Sequence, residues 1–374
     1  MHDVEHHRNV RQRDKMLRRL RALLLAGVIA VLSLTALPSR SFAKDTFTLA
    51  VSIYAGWMPW YYAKDHGIVK KWADRYDITI EVVEMDYIPS IEAYVAGKAD
   101  ACVMTNMEAL ALPAKAGIDT TVVIVGDYSN GNDAILVRGI PDVKSLKGTT
   151  VSLAEFSVSH YLLARALEMS GLKESDIKRI NTSDSDIAPA FLANKSQKAV
   201  VTWNPMVMSI AQTPGVSTIF DSSKIPGEIL DLLVVNTKKL RADPRLSEAL
   251  VGAWYEVMGL MAQPGPEAEK ALGEMATRSN CSLNDYKAQL RTTAMFWTPA
   301  TAIEYASSAE VKQKMDFVRT FCFKHGLLGE NARSVDVVGI SYPDGAVQGD
   351  PSNVKLRFDT QFMDKAKSGQ LRQP

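Results

Sequence analysis

The sequence has few of the residues from which most enzyme and metal sites are built. It contains three cysteines, and after residue 43 it has only three histidines, at widely separated positions. The motifs GxSxG, HExxH, CxxC, GxGxxG and the Walker loop are absent. Ser159 and His160 are neighbours whose side chains would point apart on a helix, so they cannot act as nucleophile and base. We therefore expect no catalytic residue, no metal and no cofactor.

The three cysteines restrict covalent chemistry further. None precedes Cys102, so no lipid-modified cysteine is expected after an export signal. An odd set of three allows at most one disulfide. The preferred pair is Cys281 with Cys322, because Cys102 lies in an apolar strand pattern typical of a core residue.

No apolar run reaches the roughly 20 residues of a membrane-spanning helix. The longest such run, from Ala22 to Leu37, follows three arginines and precedes Ser41-Phe42-Ala43. This pattern predicts a signal peptide over residues 1–43, cleaved after Ala43, and a protein exported to the periplasm. The Arg18-Arg19 pair leaves twin-arginine export open beside the general route, and Met16 is a second possible start.

The charge balance argues against a nucleic-acid partner. Three of the 42 acidic residues and eight of the 43 basic residues precede Lys44, which leaves a net charge near −4 for the rest of the chain. A phosphate-binding surface would need an excess of lysine and arginine instead.

Strands and helices alternate in two successive units, which predicts an α/β fold with parallel sheets. In the first unit, strands are predicted over 47–53, 78–83, 101–105 and 122–125, and helices over 57–75 and 88–96. In the second, strands are predicted over 134–137, 150–153, 177–181 and 199–202, and helices over 157–170 and 187–194. A strand over 232–236 and helices over 247–263, 283–294 and 308–325 follow, and the tail from about Gly345 is expected to be loosely attached.

This order predicts two lobes. Lobe I comprises residues 44–131 and 236–374, and lobe II, residues 132–235, is inserted into it. The chain then crosses between the lobes near Asn132 and near Val235, and the two crossings form a hinge beside a cleft. Since ligands of open α/β sheets bind beyond the carboxyl ends of the strands, the residues that follow each strand are candidate ligand contacts.

The residues at those strand ends are aromatic, acidic, amide or hydroxyl-bearing, and none is lysine or arginine. The predicted ligand-binding residues are Tyr54, Trp57, Thr105, Asn106, Asp127, Asp133, Glu155, Ser157, Asp186 and Trp203. A site for an anion would normally add a cation to helix N-terminal amides. Carboxylates and aromatic faces match a planar cation or a dense hydrogen-bond donor, such as guanidinium or urea.

Structural roles compete with binding for several of these residues. Ser157 and Asp186 could cap helices, and Asp133 could bond the amides of the polar turn predicted over 126–133. Trp57 and Trp203 directly follow strands, where binding and packing are equally reasonable. Glu155 has the weakest structural explanation, because an exposed charge between a strand and a helix has no evident structural role. The alternative is an acid that the dipole of the following helix stabilises in its first turn.

Several segments carry a resemblance to a known family. They are YAGWMPWYYAK from Tyr54, AGKADA from Ala96, DYSNGND from Asp127, SVSHYLL from Ser157, VTWNP from Val201 and DSSKIPGE from Asp221. The chain resembles the nitrate, sulfonate and taurine class of periplasmic binding proteins over nearly all of the sequence after the signal. The last four segments look like the subgroup whose genes accompany urea carboxylase, a group that includes guanidine carboxylases.

The resemblance implies a periplasmic binding protein type II-like fold. It also implies a monomer that binds a urea- or guanidinium-like cargo for an ABC permease and ATPase. An anion carrier is the alternative within this class. A lobe that reports to a membrane sensor, and an enzyme similar to the pyrimidine synthases of thiamine biosynthesis, are alternatives from other classes. The Cys-rich motif of those synthases is missing here.

Overall fold

The computed structural model describes residues 15–16, 18 and 44–371. Apart from the three helical residues among 15–18, the predicted signal peptide and its cleavage site lie outside the described residues. Residues 1–44 and residues 45–374 form separate units, and the second contains the sheets and helices that follow. No helix in the described part of the chain is long and apolar enough to cross a membrane.

The strands of this unit are numbered in chain order. They are β1 (Asp45–Val51), β2 (Ile78–Glu84), β3 (Ala101–Thr105), β4 (Thr120–Ser129), β5 (Asp133–Arg138), β6 (Thr150–Leu153), β7 (Lys178–Asn181), β8 (Ala199–Trp203), β9 (Val216–Asp221), β10 (Leu230–Asn236), β11 (Thr293–Met295), β12 (Gly339–Ser341), β13 (Val347–Gln348) and β14 (Val354–Phe358).

The helices lie between these strands and after them. They are α1 (Met58–Asp65), α2 (Ile68–Arg75), α3 (Tyr87–Val95), α4 (Asn106–Ala109), α5 (Val158–Met169), α6 (Asp184–Ala193), α7 (Met206–Ala211), α8 (Thr237–Ala242), α9 (Arg245–Ala262), α10 (Pro266–Arg278), α11 (Leu283–Arg291), α12 (Pro299–Ala306), α13 (Ala309–Lys324) and α14 (Gln361–Lys367). Short 3₁₀ turns join several of them, including Ala55–Trp57 before α1 and Glu174–Asp176 before β7.

The strands form two sheets. The larger has the order β13-β12-β14-β4-β10-β3-β1-β2, with β11 paired to the end of β4, and the smaller has the order β7-β6-β8-β5-β9. β1 runs parallel to both β2 and β3, whereas β10 runs antiparallel to β3 and β4 between them. The sheets are therefore mixed: they contain the parallel pairs that the alternation of strands and helices predicted, and antiparallel pairs beside them. β10 is buried from Leu230 to Val235, as its nearly continuous apolar sequence requires in a central strand.

The chain passes between the two sheets twice. The first connection is the short segment between Ser129 and Asp133, and the second lies between Asp221 and Leu230. The second crossing comes before the position expected near Val235, because β10 belongs to the larger sheet.

Two local predictions differ from the structure for identifiable reasons. The helix predicted over 57–75 is divided into α1 and α2, because Gly67 adopts a left-handed conformation with a φ of 67°. The polar turn predicted over 126–133 is shorter, because β4 continues to Ser129 and its residues from Asp127 onward pair with β11 and β10. Polar composition suggested a turn there, but cross-strand pairing keeps the backbone extended.

The tail after Gly345 is part of the core, so the expectation of a loose attachment was wrong. β14 pairs in parallel with β4 from Leu356 to Phe358. Leu356 and Phe358 are buried, as are Phe362 and Met363 on α14. The polar residues of this segment occupy its exposed positions, and composition alone conceals the alternation that buries the apolar ones.

The expected Cys281–Cys322 disulfide is also wrong, because all three cysteines are free thiols. Cys281 lies beside the Gln289 amide, with 3.5 Å between sulfur and nitrogen. Cys322 is fully buried on α13 and its sulfur is 3.9 Å from the Met107 carbonyl oxygen. The two residues thus have different neighbours on separate elements.

The tail supplies a stability prediction. Leu356→Ala should lower the free energy of unfolding by about 2–5 kcal/mol, because it removes a fully buried side chain from β14. Lys367→Ala, at an exposed position of α14, should change it by less than about 0.5 kcal/mol. Denaturant titration followed by circular dichroism measures both, and equal effects of the two variants would contradict the packing described here.

Candidate functional site

Two sheet edges meet at one place in this unit. On the larger sheet, Asp231 at the start of β10 pairs with Thr105 at the end of β3 and with Asp127 on β4. On the smaller sheet, Asp133 at the start of β5 pairs with Trp203 at the end of β8. Because β10 and β5 run antiparallel to their neighbours, they bring their first residues to the edge where those strands end.

A small cavity lies between these edges. It is lined by Tyr54, Trp57, Tyr87, Thr105, Asp133, Val158, Trp203, Ile229 and Asp231. None of these residues is more than 5% exposed. The cavity volume is about 10 Å³, room for about one water molecule. A ligand that enters must therefore be small or must displace the walls.

Four aromatic rings form a continuous wall of the cavity. The ring centroids of Tyr54 and Trp57 are 5.0 Å apart, those of Trp57 and Tyr87 are 5.7 Å apart, and those of Tyr87 and Trp203 are 5.5 Å apart. The Trp203 indole donates a hydrogen bond to the Ile53 carbonyl at 3.0 Å, which fixes the ring. Such faces exclude water and attract cations through the ring quadrupole.

Three aspartates are buried at this site. Asp127 accepts a 2.9 Å hydrogen bond from the Tyr54 hydroxyl, and Asp133 accepts one of 2.6 Å from Ser129. One oxygen of each remains without a hydrogen-bond partner among the described residues, namely Oδ2 of Asp127 and Oδ1 of Asp133. A buried carboxylate oxygen without a partner is costly. The site therefore has unused acceptor capacity.

Burial controls the protonation of these acids. It raises the pKa of Asp133 to about 7 despite the hydrogen bond from Ser129. It likewise raises the pKa of Asp127 to about 7, and it raises the pKa of Asp231 well above the usual range, with the negative charge of Asp127 adding to that effect. No lysine or arginine is among the cavity-lining residues in the described part of the chain. The described lining of the cavity is therefore acidic and supplies no cation.

Gly56 allows the acids and the aromatic wall to approach closely. A Cβ at this position would lie 2.5 Å from a Tyr54 ring carbon and 2.7 Å from Asp127 Oδ2. Only glycine leaves room for both, so the turn before α1 is shaped around the Tyr54–Asp127 hydrogen bond.

Polar bonds join the two sides of the cavity. Glu108 on α4 accepts a 2.6 Å hydrogen bond from the Val158 amide at the start of α5. The Tyr87 amide lies 3.2 Å from a carboxylate oxygen of Asp184 on α6. The Ala55 amide donates to the Asn204 carbonyl at 3.3 Å. These contacts hold residues of the larger sheet against residues of the smaller one.

Five of the ten predicted binding residues line the cavity: Tyr54, Trp57, Thr105, Asp133 and Trp203. A sixth, Asp127, hydrogen bonds to Tyr54 beside them. That these side chains contact a ligand stays a prediction.

The other four predicted residues bond to protein groups away from the cavity lining. Asn106 bonds to the Glu228 carbonyl and the Leu230 amide, both at 3.0 Å. Glu155 accepts a 3.0 Å hydrogen bond from Arg179.

The last two of those four lie at helix starts. Ser157 caps α5 through the Ser159 amide at 3.1 Å, which is the capping role that competed with binding in the sequence. Asp186 is exposed and accepts from the Ser183 hydroxyl at 2.8 Å. Asp186 is not the cap that the sequence allowed, because Ser183 caps α6 by accepting from the Asp186 amide.

The sequence predictions did not include three polar residues at or beside the cavity, nor the apolar lining residues Val158 and Ile229. Asp231 begins an antiparallel strand, whereas the predicted residues follow strands. Tyr87 begins α3, and its ring reaches the cavity from there. Glu108 lies one turn into α4, and its carboxyl group is fully buried. One signal in the sequence could have identified Asp231: it is an acidic residue inside the apolar run of β10. A buried strand rarely contains an unpaired acid.

A second cluster of titratable groups lies elsewhere in the unit. The ligating atoms of His160, Glu174 and His325 are all within 4.8 Å of one another, which is compatible with a metal. However, the Phe156 amide donates to His160 Nδ1 at 3.2 Å. The His160 proton is therefore on Nε2, which points at Glu174 and has no lone pair for a metal. Arg179 also donates to Glu174, so ion pairing explains the cluster.

One family model matches part of the chain, over residues 137–268. It is described as NMT1/THI5 like. The match covers less than half of the chain. No curated protein matches this chain at a significant level.

Several solved structures share the architecture. The alkanesulfonate-binding protein SsuA from Xanthomonas axonopodis pv. citri, bound to MOPS, has a TM-score of 0.65 and 17% identity, covering 78% of this chain and 96% of its own. The periplasmic aliphatic sulphonate binding protein SsuA from Escherichia coli has a TM-score of 0.62 and 20% identity, covering 77% and 95%. The desulfurization enzyme DSZB has a TM-score of 0.58 and 13% identity, covering 87% and 100%. The chain has the periplasmic binding protein fold, as the sequence predicted.

The histidine cluster supplies a pH prediction. His325 bonds to the Phe321 carbonyl at 2.9 Å and to Glu174. Burial alone would lower the pKa of His325, but these hydrogen bonds raise it. A raised pKa in the folded state gives stability that is complete below about pH 6.5 and is lost as pH rises through the folded value.

His325→Gln should therefore lower the melting temperature more at pH 5.5 than at pH 9. The expected excess is about 2 °C or more. Scanning calorimetry of both proteins at the two pH values measures the difference. The same loss at both pH values would show that the His325 charge contributes nothing to stability.

Proposed function

We propose that this protein is the solute-binding component of an ABC importer, and that it captures a guanidinium- or urea-like solute in the cavity. The observation that carries this proposal is the set of three buried aspartates, Asp127, Asp133 and Asp231, beside an aromatic wall and without a lysine or arginine in the cavity lining. These acceptor groups are complementary to a ligand that donates hydrogen bonds.

The chemistry of a planar nitrogen compound fits that set. The N–H groups of guanidinium or urea would donate to Asp127 Oδ2 and Asp133 Oδ1, the two oxygens without a protein partner. The faces of Trp57 and Trp203 would stack on the plane of the ligand. The small cavity volume favours a ligand of a few atoms.

Capture would use the two lobes. We propose that the larger sheet, which includes β10, and the smaller sheet move as two bodies about the two crossings, which shifts the second lobe boundary from Val235 to the segment before Leu230. Bonds such as that of Glu108 to the Val158 amide would break on opening. A ligand that contacts both Asp231 and Asp133 would favour the closed arrangement by its additional contacts there.

The proposed setting follows from the sequence. The signal-peptide pattern over residues 1–43 supports export to the periplasm. A monomer that delivers its ligand to a membrane permease and an ATPase is the arrangement that the resemblance implies. A lobe that reports to a membrane sensor would bind the same ligand, and genomic neighbours distinguish the two.

An anion carrier is the second candidate, favoured by the names of two structures of the same fold, both sulfonate-binding proteins. Against it, an anion in this cavity would lie beside Asp231 and Asp133 with no cation in the lining. An enzyme is a weaker candidate, although DSZB shares the fold. The cavity lining of the described chain holds neither histidine nor cysteine, which supports binding without chemistry.

Calorimetric titration with guanidinium, urea, nitrate, taurine and bicarbonate tests the proposal. Guanidinium or urea should saturate the protein with a Kd in the micromolar range or below, an affinity of about 8 kcal/mol or more. Saturation by an anion alone would overturn the assignment of the cargo. No detectable binding of any of the five compounds would overturn the assignment of the site.

Two matched variants test the residues. Asp133→Asn should weaken binding of the saturating ligand at least about tenfold, the scale of one charged hydrogen bond. Asp186→Asn, the same substitution at an exposed position, should leave the Kd within about twofold. A larger effect of Asp186→Asn than of Asp133→Asn would place the site elsewhere.

A further inference from the structure

Asp127 and Asp231 face each other on adjacent strands. They are direct partners in the register of β4 and β10, so their side chains are neighbours on one face of the sheet. Both side chains are buried. Two neighbouring carboxylates away from water cannot both be ionised unless a cation or a shared proton lies with them.

Within the described part of the chain, the titratable groups around this pair do not supply a cation. The Tyr54 hydroxyl donates to Asp127 at 2.9 Å, and its own pKa is raised by burial and by the neighbouring aspartates. Asp133 lies on the opposite edge of the cavity and Glu108 beyond it, both acidic. Tyr286 is the remaining titratable neighbour of Asp127, and it is neutral at physiological pH because burial raises its pKa. The pair therefore carries a proton at neutral pH.

We propose that a cationic ligand takes the place of this proton, so that each cation bound at the cavity releases one proton from the Asp127–Asp231 pair to solvent. This inference rests on the proposed function and selects the cationic member of the proposed solute class. Charge balances in the exchange, because one positive charge enters the site and one leaves it. The buried pair thus never holds two uncompensated charges.

The exchange distinguishes guanidinium from urea, which has nearly the same shape. Guanidinium brings the charge that two ionised carboxylates need. Neutral urea leaves the shared proton in place. The protonated pair then offers urea one acceptor oxygen fewer than the ionised pair offers guanidinium. The acid pair therefore selects for the charge of the ligand, whereas the aromatic wall selects for its planar shape.

The exchange predicts the direction in which guanidinium affinity changes with pH. Because the cation competes with a proton, guanidinium should bind more tightly as pH rises, by up to about tenfold per pH unit for one proton released. The gain ends where the free protein loses the shared proton. Urea affinity should not rise with pH.

Calorimetric titration of the purified protein with guanidinium chloride, at pH 7.5 in phosphate and in Tris, measures the exchange. The two buffers differ in ionisation enthalpy, so their apparent binding enthalpies should differ by an amount equivalent to about one proton released. Titrations at pH 6, 7 and 8 should show the Kd decreasing in step. Urea, as the neutral control ligand, should give equal enthalpies in both buffers if it binds.

Two variants locate the proton. Asp231→Asn keeps the shape of the pair but removes one acid, so proton release should fall to below about half and the Kd should vary less with pH. Asp133→Asn weakens binding but leaves the pair intact, so release should persist. Circular dichroism checks the fold of both. If Asp231→Asn does not fold, the titrations of the wild-type protein in the two buffers and at the three pH values determine whether binding releases a proton.

The outcomes separate the two proposals. Guanidinium that saturates the protein with no buffer dependence, and with a constant Kd from pH 6 to 8, overturns the exchange and leaves the proposed function standing. Proton release that is unchanged in Asp231→Asn overturns the assignment to the pair. A protein that does not bind guanidinium overturns both the exchange and the guanidinium cargo.

Discussion

The burial of three carboxylates without a cation is the constraint on which the site depends. Asp127, Asp133 and Asp231 are almost fully removed from water, and the charged form of each is disfavoured by that burial. Hydrogen bonds from Tyr54 and Ser129 satisfy only part of their acceptor capacity. Burying a carboxylate oxygen without a partner is costly. A ligand that donates hydrogen bonds to these oxygens would offset that cost, which links stability to binding.

The two-sheet architecture creates this constraint. β10 enters the larger sheet between β3 and β4 in the opposite direction, and so places Asp231 beside Thr105 and Asp127. β5 does the same in the smaller sheet and places Asp133 beside Trp203. Bonds across the cavity, such as that from the Val158 amide to Glu108, hold the edges together. An acidic cavity therefore arises where the chain crosses from one sheet to the other.

Local sequence patterns predicted the α/β class, most strands, and the aromatic and acidic residues that end them. Tyr54, Trp57 and Trp203 follow strands, and that rule identifies them. Asp231 required knowledge that β10 is antiparallel, which no local pattern contains. Glu155 lies at a strand end with Arg179 on β7 as its partner, and a pairing between side chains 24 residues apart in sequence is set by sheet register. Long-range pairing is the information that the local sequence lacks.

A crystal structure of the protein grown with guanidinium shows directly whether the cavity binds the cation. We expect a planar ligand between the aromatic rings, with its nitrogen atoms about 2.7–3.2 Å from Asp127 Oδ2 and Asp133 Oδ1. A closed cavity that contains only water at saturating guanidinium would contradict it. So would an anion bound there in place of the cation.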